Sequence, residues 1–371
     1  MKKTLHIVEP TLASQAGHCF NHAHSLTQAN HAFDIHLWID RGGHGLFEEN
    51  LCRVRAYFHR RWRKFQLAIC YSKCLREGDG IFVPTAGQLD MWWLDILQRF
   101  GVGGIRPTAV ILHFHQFRKT SAKQRRLLDW ARRHPEWHIL ATTERLLGTF
   151  RQAGFKQCHV AYYPAVKPAD HPKARTDSIR LVYAGAVRRD KGFVKIVEYL
   201  EYLVGKKLDW PATIQCSPPS VKLAAETETE CADALKRIKC MDYPNLKIVD
   251  RTLSMTEYHS LFNNAICLLL YDREAYHDKF SSVALEALFS GAPIITVSGT
   301  WMGDVVAQHD AGVVIEELSL EAIHSAVQRV KAQFPMYRDR ALLAGRILAQ
   351  VHEPKGTLEL IQKAMEVPSM P

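Results

Sequence analysis

Short apolar runs recur along the chain, separated by stretches whose apolar residues return with the period of an amphipathic helix. In the first half the runs Leu5–Val8, Phe33–Trp38, Ile81–Pro84, Thr108–Leu112, His138–Ala141 and Cys158–Ala161 predict strands. Between them, His18–Ala29, Leu89–Phe100, Ser121–Arg132 and Glu144–Ala153 carry helical periods, and Leu46–Leu75 reads as mostly helical and strongly basic. A charged, proline-containing segment from Tyr163 to Ser178 reads as a linker. The alternation restarts at Ile179, with strands predicted at Leu181–Ala184, Thr213–Cys216, Leu246–Val249, Ala265–Leu270 and Ile294–Val297. Beyond Leu318 the pattern is helical to the end. Strand and helix alternating in this way specify an α/β protein with parallel sheets, and the length of 371 residues suits two domains.

One stretch concentrates the chemistry: Asp278 to Thr300, DKFSSVALEALFSGAPIITVSGT. It follows the Ala265–Leu270 run, so Ser281-Ser282 open a helix at the carboxyl edge of a sheet. Val283, Ala284, Ala287 and Leu288 face that sheet, and Gly291-Ala292-Pro293 end the helix. The start of such a helix presents amide N–H groups and a partial positive charge, which suits a phosphate. Glu286 sits on an otherwise apolar face. A buried acid is costly unless hydrogen-bonded, and a ligand hydroxyl would serve as its partner.

The order acid, seven residues, Glu, Ala-Leu, a small residue, Gly, x and Pro resembles the E-x7-E signature of retaining GT-B glycosyltransferases of the family-4 type, with Asp278 and Glu286 as the pair. In that family the first acid approaches the donor sugar and the second holds the nucleotide ribose. Asp278 departs from the family by being one methylene shorter than Glu. Further upstream, Gly185-Ala186-Val187-Arg188-Arg189-Asp190-Lys191-Gly192 resembles the family's G-R-x-x-x-x-K-G loop, whose lysine neutralises the donor diphosphate. Lys191 and Gly192 match. Ala186 stands where the family has arginine, so Arg188 or Arg189 must supply that charge.

The same resemblance implies further contacts. Arg251, Thr252 and Leu253 lie in the loop that covers the base, and the amides at Ser281 and Ser282 face the phosphates. Gly17 and His18 lie where a first-domain loop borders the cleft. After the Thr108–Leu112 strand, one of His113 and His115 is expected to point towards the transferred sugar and its phosphate. Side-chain alternation is read as admitting only one of them, and His115, nearer the loop, is preferred. Thr300-Trp301 and Asp304 stand where the family has a turn and an acid.

The implied fold is GT-B, two Rossmann-like domains facing across a cleft. The domains are expected at 1–165 and 166–345, with 346–371 crossing back through a helix at Thr357–Met365. The implied reaction is hexosyl transfer with retention, from a UDP- or GDP-linked sugar to an acceptor hydroxyl, without a metal or other cofactor. The expected acceptor is a saccharide or lipid-linked saccharide of a surface glycan. A leaving diphosphate needs charge stabilisation, and Lys191 with Arg188 and the Ser281-Ser282 amides can provide it.

Charge adds a second theme. The formal net charge is +10, and Arg53–Lys64 and Lys123–Arg133 hold much of the excess. Arg60, Arg61, Arg63 and Lys64 alternate with Phe58, Trp62 and Phe65, the composition of a surface that rests on anionic headgroups. A basic nucleic-acid-binding protein would share the charge, but no recognition motif is present. A nucleotide-sugar epimerase or hydrolase on a related two-domain fold is the other alternative. No apolar run reaches the roughly 20 residues that span a bilayer. The N-terminal apolar run is short and ends at Glu9-Pro10, as a first strand does and a signal peptide does not. Nine irregularly spaced cysteines point to reduced thiols in the cytoplasm, Cys70 and Cys74 read as packing, and no His or Cys cluster in the sequence completes a zinc site. The enzyme is therefore expected in the cytoplasm, with a peripheral location at the inner face of the membrane.

Overall fold

The computed structural model describes residues 2–15, 18–77, 79–104, 108–117, 120–164, 179–216, 225–251 and 253–366. The chain forms two compact units, Met1–Val166 with Val351–Pro371, and Lys167–Gln350. The linker expected after Tyr163 falls almost wholly outside the described residues.

The first unit runs β1 (Lys3–Glu9), α1 (His18–Ala29), β2 (Phe33–Asp40), β3 (Arg53–Phe58), α2 (Arg63–Glu77), β4 (Gly80–Val83) and α3 (Gln88–Arg99). It continues with β5 (Ala109–Phe114), α4 (Ser121–Arg133), β6 (His138–Ala141), α5 (Glu144–Gln152) and β7 (Gln157–Val160). Its seven strands pair in parallel in the order β3-β2-β1-β4-β5-β6-β7. Each sheet face buries its own core. Trp38, Tyr71, Met91 and Phe150 belong to one, and Leu5, Leu26, Ile35 and Phe82 to the other.

The second unit runs β8 (Arg180–Tyr183), α6 (Phe193–Gly205), β9 (Ala212–Gln215), α7 (Ala225–Lys239), β10 (Leu246–Val249), α8 (Met255–Ser260) and β11 (Ala265–Leu269). It continues with α9 (Arg273–Tyr276), α10 (Ser282–Phe289), β12 (Ile294–Val297), α11 (Trp301–His309), β13 (Gly312–Ile315), α12 (Leu320–Ala332) and α13 (Phe334–Val351). Its six parallel strands take the order β10-β9-β8-β11-β12-β13. The last helix, α14 (Pro354–Glu366), packs on α1 and β5 and belongs to the first unit.

Two segments differ from the sequence expectation. Residues 53–58, expected within a helical stretch, form the edge strand β3 against β2. Arg53, Val54, Arg55, Ala56 and Tyr57 remain half-buried or exposed, so polar and apolar residues mix without the mostly apolar run that marks a buried strand. The short strand β13 likewise lies in a stretch given no strand. Among the described residues, no helix is long and apolar enough to cross a membrane, and all nine cysteines are free.

Candidate functional site

In the second unit the strand order reverses between β8 and β11, since β9 and β10 extend to one side and β12 and β13 to the other. In open parallel sheets, ligands bind beyond the carboxyl ends of the strands at such a switch point. The loops leaving β8 and β11 meet there, joined by a backbone bond from Asp272 N–H to Asp190 C=O at 3.0 Å.

The loop after β8 is shaped by its glycines. Gly192 has φ +73°, and a Cβ there would lie 2.0 Å from the Leu270 carbonyl oxygen, so no other residue fits. Gly192 ends a single 3₁₀ turn at Arg189–Lys191 and opens α6. Gly185 has φ +151°, and a Cβ there would come 3.4 Å from Lys191 Nζ. The lysine therefore folds back across its own loop. Its ammonium also lies 6.0 Å from the centre of the Tyr271 ring. Tyr183 braces the loop by donating its hydroxyl to Ala186 C=O at 2.8 Å.

The loop after β11 leads into α10. Ser281, buried, caps that helix, its Oγ accepting from Ala284 N–H at 3.3 Å. The amides of Ser282 and Val283 head the helix. One turn on, Glu286 accepts a hydrogen bond from the Tyr258 hydroxyl and faces the Lys191 charge. Burial pushes the Glu286 carboxyl up to about 7, outweighing the Tyr258 bond and Lys191, which both pull it down. Burial, with Arg188 adding to it, depresses the Lys191 ammonium, while Asp190 and Glu286 pull it back up. The site thus holds an acid and a base 95 positions apart in sequence (286 − 191), Glu286 one turn into α10 and Lys191 in the turn before α6.

The two arginines separate clearly. Arg188 is half-buried and forms a two-pronged pair with Asp190, its Nε 2.8 Å from Oδ1. Arg189 is exposed and bonds Glu230 at 3.3 Å. Only Arg188 acts electrostatically on Lys191. Asp278 is half-buried between α9 and α10, next to Lys279. Lys279 lies 5.2 Å from the Tyr276 ring centre, and burial lowers its ammonium. Arg251 is exposed and forms a two-pronged pair with Glu257, the residue that completes the Ser254 capping box on α8. Leu253 is half-buried, Gly17 and Thr252 lie outside the described residues, and His18 opens α1. Thr300 caps α11, with Trp301 and Asp304 in its first turn and Trp301 packed on Phe280.

The two histidines at the end of β5 need correction. They are not alternatives, because a strand's period of two places residues i and i+2 on one face. Their rings lie 4.8 Å apart. His113 is fully buried, its Nε2 donating to Ala161 C=O at 3.0 Å, so it is not placed to touch a sugar. His115 is half-buried, its Nε2 donating to Pro84 C=O at 2.8 Å. Both meet His22 of α1, a residue given no role from sequence, and the three offer nitrogens within 4.8 Å of one another. His6, His36 and Glu77 form a second such cluster.

Tyr258, Asp190 and Lys279 also escaped sequence reasoning. Lys279 adjoins Asp278 and Asp190 lies inside the glycine loop, so proximity to the motifs was the available signal. Tyr258 gave none, because only the fold brings α8 beside Glu286. In the first unit, Glu9 ends β1 at the switch point with β4, fully buried and accepting from Thr85 Oγ1 at 2.6 Å.

No family model matches the chain, and no curated protein matches it in sequence. Solved structures do match it over nearly its whole length. The sucrose-phosphate synthase of Thermosynechococcus elongatus aligns with TM-score 0.70 at 14% identity, covering 98% of this chain and 99% of that one. Anabaena HepE in complex with UDP-glucose aligns with TM-score 0.69 at 12% identity, covering 98% of each chain. An E. coli structure described as trehalose-6-phosphate bound with UDP-2-fluoro glucose aligns with TM-score 0.67 at 11% identity, covering 98% of this chain and 99% of that one. The fold is GT-B.

Proposed function

We propose that this chain is a retaining glycosyltransferase that uses a nucleotide-sugar donor, with its donor site at the β8/β11 switch point. One observation carries the reading. Lys191 in the glycine loop and Glu286, one turn into α10, act electrostatically on each other beside the helix start, an arrangement suited to a diphosphate and a ribose. Structures of this fold hold UDP-glucose and UDP-2-fluoro glucose, which supports a uridine donor before a guanosine one.

In this reading Lys191, Arg188 and the Ser282 and Val283 amides take up the charge that develops on the leaving diphosphate. Glu286 accepts from the ribose hydroxyls and Asp278 from a hydroxyl of the transferred sugar. Retention rests on the resemblance of the Asp278/Glu286 spacing to that of retaining enzymes, and the acceptor is a saccharide or lipid-linked saccharide of a surface glycan. Thermal-shift screening of UDP- and GDP-sugars tests the reading. One donor should raise Tm, since a ligand of the folded state stabilises by mass action. Binding with release of free nucleotide but no transfer to any acceptor would favour a hydrolase.

Asp278→Asn separates sugar from nucleotide recognition. It should leave UDP affinity within about twofold and cut transfer by about tenfold, the scale of one hydrogen bond to a charged group. Equal loss of both would assign Asp278 to support of the loop.

We also place the enzyme at the inner face of the membrane. Phe58 packs in the core, but Trp62, just before α2, and Phe65 and Ile69 within it stand out at 62%, 66% and 53% exposure. Arg60, Arg61 and Lys64 are exposed beside them, and Arg63 is half-buried. Each basic residue near anionic lipid contributes about 1 kcal/mol. Flotation with anionic liposomes should show binding at low salt that fades as salt rises, and drops when Arg60, Arg61 and Arg63 become Ser. No binding at low salt would refute this placement and leave the donor site untouched.

A further inference from the structure

We infer that His22, His113 and His115 form a binding site in the first unit for a transition-metal dication of the Zn²⁺ class. His22 comes from α1, and His113 and His115 from the end of β5 and the residue just after it. His22 and His113 are fully buried and His115 is half-buried, which leaves one side of the cluster reachable from solvent.

The tautomers argue for ligation. A carbonyl oxygen can only accept, so the Nε2 atoms of His113 and His115 carry hydrogens, given to Ala161 C=O and Pro84 C=O. In each neutral ring the lone pair then belongs to Nδ1. His113 Nδ1 is buried without a hydrogen-bond partner among the described residues, a costly arrangement that a cation would relieve. A metal-ligating histidine characteristically gives its other ring N–H to a carbonyl or carboxylate, which fixes its orientation. Both rings of the pair have that support from rigid backbone.

Ring geometry agrees. Three imidazoles bound tetrahedrally with Zn–N bonds of about 2.0–2.1 Å carry their centroids about 5 Å apart. The centroids are separated by 5.3 Å for His22 and His113, 5.8 Å for His22 and His115, and 4.8 Å for His113 and His115. Three neutral nitrogen ligands suit Zn²⁺, Co²⁺, Ni²⁺ or Cu²⁺ and disfavour Mg²⁺ or Ca²⁺, which take oxygen. The second cluster, His6, His36 and Glu77, fails the same reasoning. His6 Nδ1 accepts from Trp38 Nε1–H at 3.2 Å, so its Nε2, 3.2 Å from Glu77, carries the hydrogen and has no lone pair for a metal. The Arg55 guanidinium also lies 3.3 Å from His36. The assignment rests on the first unit alone and stands whether or not the chain transfers sugar.

The test uses the full chain, stripped with a chelator, loaded with ZnCl₂ and desalted. About one Zn²⁺ per chain should remain, with a raised Tm. His115→Ala should weaken Zn²⁺ binding by at least about tenfold, whereas His36→Ala should leave it unchanged. Zinc-edge X-ray absorption on the unmodified protein needs no variant to fold. It should show an imidazole nitrogen shell at about 2.0–2.1 Å and no sulfur at about 2.3 Å. No retained zinc, undiminished binding in His115→Ala, or a sulfur shell would overturn the assignment.

Discussion

Lys191→Ala should lower turnover by about a hundredfold at saturating donor, corresponding to about 3 kcal/mol of lost stabilisation of the departing diphosphate. The size follows from placement. The ammonium lies over Gly185 in a site where burial depresses it, so its charge acts through little water. Arg188 cannot replace it fully, because Asp190 already occupies its guanidinium. Lys191→Arg is a poor rescue, since a broad planar fork replaces the compact point charge of the ammonium. The test is steady-state transfer with the donor found by screening. Turnover within a few-fold of the parent would remove Lys191 from the reaction.

Glu286 has an equally large signature, in pH. Burial holds its carboxyl up at about 7 in the folded chain, above the ordinary 4.5 of a free glutamate. A raised folded-state value means that the stability tied to this group is complete below about 4.5 and is lost as pH rises through about 7. The cost above neutrality is about 3 kcal/mol. Glu286→Gln should therefore unfold at higher temperature than the parent at pH 8, and the difference should vanish near pH 4. Nucleotide binding should respond in the opposite sense. The ionised carboxylate accepts from ribose hydroxyls more strongly than the neutral acid does, so UDP affinity should fall as pH drops below about 7. Because UDP's own ionisation affects parent and variant alike, calorimetry on both isolates the Glu286 contribution. Parallel pH profiles in the two proteins would assign Glu286 to the fold alone.

Much of this was legible in the sequence where signals are local. The strands at His138–Ala141, Leu246–Val249 and Ile294–Val297 and the helix at His18–Ala29 have the bounds their patterns predict. Ser281 and the Ser254–Glu257 capping box sit where their side chains cap helices. The adjacency of Lys191 and Glu286 was legible only through the motifs, because it arises from β8 pairing with β11 across some eighty intervening residues. Other features depend on tertiary neighbours that no local pattern encodes. Arg188 reads as an available charge until Asp190 folds against it. Tyr258 reads as a helix residue until α8 delivers its hydroxyl to Glu286. His22 lies about ninety positions before His113, and only α1 packing over the sheet brings the rings together. Arg53–Phe58 was missed because an edge strand tolerates the arginines that a buried one excludes.

A crystal structure grown with millimolar UDP tests the central claim most directly. Diphosphate density should lie against Lys191 and the Ser282 and Val283 amides, with the ribose hydroxyls within hydrogen-bond distance of Glu286. UDP bound elsewhere on the chain, or absent from this site at millimolar concentration, would contradict it.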